Sequence, residues 1–64
     1  MSDESIAWMK KRIMGEVSSA VAKAIDDIEE REDITAQESE QLYRGLIANF
    51  RYGINSTLND MFWE

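Results

Sequence analysis

The stretch Glu32-Asp33-Ile34-Thr35-Ala36-Gln37-Glu38 is the one interior place where a helical apolar pattern stops and a fresh helix-start signal follows. Thr35 and Glu38 stand at the spacing of a capping box. In that arrangement the cap hydroxyl accepts from the N–H three residues on, and the carboxylate there returns to the N–H of the cap. Two of the donors that a helix start leaves unpaired are thus satisfied together. Ile34, just ahead of the cap, is placed to pack on Ser39 or Leu42 as a weak hydrophobic staple. The pattern predicts a chain reversal here, hence a helical hairpin.

Upstream, Ile6, Met9, Ile13, Val17, Ala20, Val21, Ala24, Ile25 and Ile28 fall on one side at about 100° per residue. They predict a helix over about residues 5–31, capped by Asp3 or Ser5, with Glu4 favouring the positive end of its dipole. Downstream, Leu42, Tyr43, Leu46, Ile47, Phe50, Ile54, Leu58 and Met61 are spaced mostly by four and predict a second helix over about 36–62. Together with Phe62 they cover a band wider than the ~100° that one neighbour needs. Tyr52-Gly53-Ile54-Asn55-Ser56 reads either as a stop and restart capped by Asn55 or Ser56, or as a bend within one helix. The unbroken spacing of Phe50, Ile54 and Leu58 favours one helix.

Folding at residues 33 and 34 sets Ile25 against Leu42 and Tyr43, Val21 against Leu46 and Ile47, Val17 against Phe50, Ile13 against Ile54, and Met9 against Leu58. Small Ala20 and Ala24 are expected opposite the bulky second helix, large facing small. The expected fold is an all-α antiparallel hairpin, a single domain over 1–64, with a turn over about 32–35. The surplus apolar width at Leu42, Tyr43, Leu46, Ile47, Phe50 and Ile54 predicts an oligomer interface, in a dimeric four-helix bundle or a higher oligomer.

Composition points the same way. A lone core in 64 residues leaves only ~3–5 kcal/mol of net stability or less, and with no Cys there is no disulfide to add to it. Self-association is the remaining source of stabilisation. Without His, a Glu-x-x-His di-metal bundle cannot form, and the acids around the turn lack the glycine and alternation of a calcium loop. No metal and no cofactor is expected. No apolar run approaches the ~20 residues of a membrane span, and the opening Met1-Ser2-Asp3-Glu4-Ser5 does not read as a signal peptide, so a cytoplasmic location is expected.

Three clusters carry candidate function. Asp26, Asp27, Glu29, Glu30, Glu32, Asp33, Glu38 and Glu40 ring the turn, opposed there by Arg31 alone. Such a run is ordinarily a solvated pole, and its functional readings are chelation of a divalent ion, imitation of a phosphate backbone, or a surface for a basic protein partner. Lys10, Lys11 and Arg12 fan round a helix by about 100° each and make no aligned phosphate-binding row. Trp8, Met9, Met61, Phe62 and Trp63 meet where the termini come together, and exposed tryptophan is enriched at contact surfaces. The bland alternative is that these aromatics close the bundle end. Ser18, Ser19 and Ser39 have no His base, and with no Cys nucleophile or glycine-rich phosphate loop the chain is not expected to be an enzyme.

Leu42-Tyr43-Arg44 followed by Ala48 and Phe50 resembles a short run in the second helix of the Rop family of plasmid proteins. The resemblance implies a dimeric four-helix bundle and, as one function, binding of paired RNA loops. Here Lys10, Lys11, Arg12, Lys23 and Arg44 would serve, against the opposing net charge of −6. The leading expectation is instead a small acidic inhibitor or adaptor of phage-like style, which homo-oligomerises and binds a protein partner. A third possibility is an oligomer that sequesters a small ligand between protomers.

Overall fold

The structure, a computed structural model, describes residues 2–62. It consists of two helices packed as an antiparallel hairpin, α1 over Asp3–Arg31 and α2 over Ala36–Phe62. The capping box forms as its residues require. The Glu38 N–H donates to Thr35 Oγ1 at 3.0 Å, and the Thr35 N–H donates to Glu38 Oε1 at 2.9 Å. The bond from the Thr35 N–H, reinforced by the Thr35 hydroxyl contact, holds the Glu38 carboxyl below the usual carboxylate range. On the other side of the turn the Glu32 N–H closes α1 by donating to the Ile28 carbonyl at 2.8 Å.

The start of α1 differs from the expected one near residue 5. Ser2, not Asp3 or Ser5, is the cap, and its side chain accepts from the Ser5 N–H at 3.2 Å. Starting there puts Asp3 and Glu4 together in the first turn, where the dipole favours them. It also pairs the Ile6 N–H with the Ser2 carbonyl. In α2 the glycine at 53 interrupts nothing, and the helix runs through it as the apolar spacing required.

The seam between the helices buries Ile6, Val21, Ile25 and Leu58. Met9, Met14, Val17, Ser18, Ile28, Ile47 and Ile54 are half-buried beside them. The register is fixed near the open end, where Lys10 Nζ donates to Asn59 Oδ1 at 3.3 Å. That lies within a residue or two of the expected pairing of Met9 with Leu58. Ala20 and Ala24 do not face α2; both are exposed. They sit about 100° round from Val21 and Ile25, outside the sector that a single neighbouring helix covers.

Ser39 is the one polar residue in the core among those described, 8% exposed, and its hydroxyl has no hydrogen-bond partner. An unpaired buried hydroxyl costs about 1–3 kcal/mol, and Ala is also the better helix former by about 0.5 kcal/mol. Ser39→Ala is therefore expected to stabilise the fold by about 1 kcal/mol or more. The gain would be read as a higher urea midpoint at unchanged slope. A lower midpoint would show that the hydroxyl has a partner after all.

Candidate functional site

The residues expected to form an oligomer interface separate into two groups. Ile47 and Ile54 are half-buried, toward the intramolecular seam. Leu42, Tyr43 and Leu46 are each 36% exposed and Phe50 is 45% exposed. Tyr43 borders a groove on one side of the hairpin together with Ala22, Ile25, Glu29 and Ser39. A separate groove joins Ile13 of α1 to Phe50, Gly53, Ile54 and Thr57 of α2. Leu42 and Leu46 continue from Phe50 at steps of four, and Ala20 and Ala24 lie at about the helical angle of Ile13. By helical angle they extend the flank on which that groove lies, and Ala20 also borders a hollow of α1 lined by Glu16, Ser19, Ala22, Lys23 and Asp26. Between Leu42 and Thr57 that flank of α2 carries no charge, and a side chain added at Gly45 or Gly53 would meet nothing within 4 Å.

This exposure is large for the size of the chain. The hairpin has 5221 Å² of accessible surface. A compact monomer of 7.4 kDa exposes about 4,200 Å² on the area–mass scaling. The excess, roughly 1,000 Å², is comparable with the ~800 Å² that each partner buries in a standard protein interface.

At the open end Trp8 is 65% and Met61 66% exposed, whereas Met9 and Phe62 are half-buried and Trp63 lies outside the described residues. The hollow beside Trp8 is lined by Glu4, Ser5, Trp8 and Met9, all from α1. The hairpin therefore brings Trp8 and Met61 to one end without merging them, among the described residues, into one hollow. At the opposite end Asp26, Asp27, Glu29 and Glu30 are exposed. Among the described residues no group of three or more His, Cys, Asp or Glu side chains could hold a metal ion, and no helix is long and apolar enough to cross a membrane.

Two surface ion pairs form among the described residues. Arg12 pairs with Glu16 and Arg44 with Glu40, each one turn apart on its own helix and each exposed, so neither contributes more than a few tenths of a kcal/mol. These pairs, with the Lys10–Asn59 bond, engage three of the five basic residues of the RNA-binding reading. Lys10 is half-buried at the seam. A long aliphatic stem ending in a charge fits such a place, and apolar periodicity gives no sign of it.

The chain matches no protein-family model, no curated protein and no solved structure. The likeness to the Rop family rests on chain length, the hairpin design and the short run from Leu42 to Phe50.

Proposed function

We propose that the protein is a non-catalytic helical module that assembles with copies of itself in the cytoplasm and binds another protein as an inhibitor or adaptor. The observation that carries this reading is the uncharged flank of α2 at Leu42, Leu46 and Phe50, with Ile13 of α1 beside it, left open by a hairpin that buries only four apolar side chains among those described. A second copy covering it would complete a four-helix bundle. The Trp8 end and the acidic pole at Asp26, Asp27, Glu29 and Glu30 would stay free for a partner, one supplying contact area and the other electrostatic steering.

The test combines mass and capture. Light scattering at micromolar concentration is expected to give at least twice 7.4 kDa. Capture from the native host is expected to recover one specific protein, retained poorly by Trp8→Ala. A monomeric mass would remove the assembly half of the reading, and equal recovery by the variant would remove the role of Trp8. Tight RNA or DNA binding that weakens steeply between low and moderate salt would replace the reading with a nucleic-acid one.

A further inference from the structure

The open flank admits two face-to-face arrangements of a second copy related by a two-fold axis. In one, the axis runs along the helices, α1 stacks on α2 of the other copy, and both turns lie at the same end. In the other, the axis crosses the helices, α1 stacks on α1 and α2 on α2, and the turns lie at opposite ends. Both set large side chains level with small ones. With the turns opposed and the axis level with residues 16–17 and 49–50, Ile13 comes level with Ala20 and Leu46 with Gly53 of the other copy. With the turns together, Ala20 and Ala24 come level with Leu46 and Leu42.

Charge decides between them. Residues 24–44, the turn half of the hairpin, hold eight acids against Arg31 and Arg44 and so carry the whole net charge of −6. The rest of the chain balances five acids with five bases, including the run Lys10, Lys11 and Arg12. Helices packed in one bundle lie about 8–10 Å apart, close to the screening length of about 8 Å at physiological salt, so charges on neighbouring copies act on one another. Turns together would set −6 beside −6. Turns opposed set each acidic half beside a balanced one.

We infer that the occupant of the flank is a second copy of this chain lying antiparallel to the first, the acidic turn half of each beside the charge-balanced half of the other. The inference rests on the assembly proposed above and adds its orientation. Because the chain has no cysteine, one label site can be introduced at Asp33→Cys, exposed in the turn between the helices. A nitroxide there, measured by pulsed dipolar spectroscopy on a sample whose mass is checked by light scattering, reports the distance between turns. The expected result is a dimer with a distance on the order of 50 Å, since residue 33 lies about 16 residues from the axis in each copy at about 1.5 Å per residue. A dimer with the labels within roughly 25 Å, as neighbouring helix axes would place them, overturns the orientation alone. A monomer overturns the orientation and the assembly together.

Discussion

Ile25→Ala is expected to abolish cooperative folding near room temperature. Ile25 is the most deeply buried core residue described, 5% exposed, at the level where α1 packs against the first turns of α2. Truncating such a side chain removes its transfer free energy and leaves a void, together about 2–5 kcal/mol. A domain of this size holds a net stability of the same order. With only four buried apolar side chains among the described residues, the seam has little left to offset the loss. The variant should lose its sigmoidal thermal transition by circular dichroism at concentrations where the parent melts cooperatively. A shift below about 1 kcal/mol would mean that the seam does not hold the fold.

Phe50→Glu is expected to dissolve the assembly while leaving a helical chain. In the single hairpin Phe50 is 45% exposed, so a polar replacement there removes only a partial contact. In the antiparallel pair the two-fold passes level with residues 49–50, so a carboxylate would be placed near its own copy in an apolar interface, and the cost falls on both chains. The association constant should drop at least 100-fold, about 3 kcal/mol. Light scattering should then show the monomer mass at concentrations where the parent is a dimer. Tyr52→Glu is the matching control. Tyr52 is 77% exposed and lies about 200° round the helix from Phe50, so its substitution should leave the mass unchanged. If both variants keep the parent mass, the flank is not the assembly surface.

The reversal was legible in the sequence because a capping box is a local device. Thr35 and Glu38 form the same two hydrogen bonds whatever the rest of the chain does. The two helices and their register were legible because apolar periodicity and one turn position determine them. What periodicity could not give was the sector of α1 that a single neighbour takes. The stripe from Ile6 to Ile28 is broader than one helix covers, so its centre, which includes Ala20 and Ala24, differs from the seam at Val21 and Ile25. Lys10 and Ser39 were missed for a related reason: each enters the seam by helical position, against the preference of its own side chain. The aromatic end was legible only as a shared location, since the rotation of each helix decides whether Trp8 and Met61 share a surface.

The hairpin measures 47 × 15 × 14 Å, with a radius of gyration of 14.6 Å. That radius belongs to a compact chain of about 145 residues, more than twice the present length. A single copy will consequently travel through a gel-filtration column like a globular protein of double its weight. Elution volume would counterfeit the pairing inferred above, and scattering intensity or sedimentation equilibrium would not.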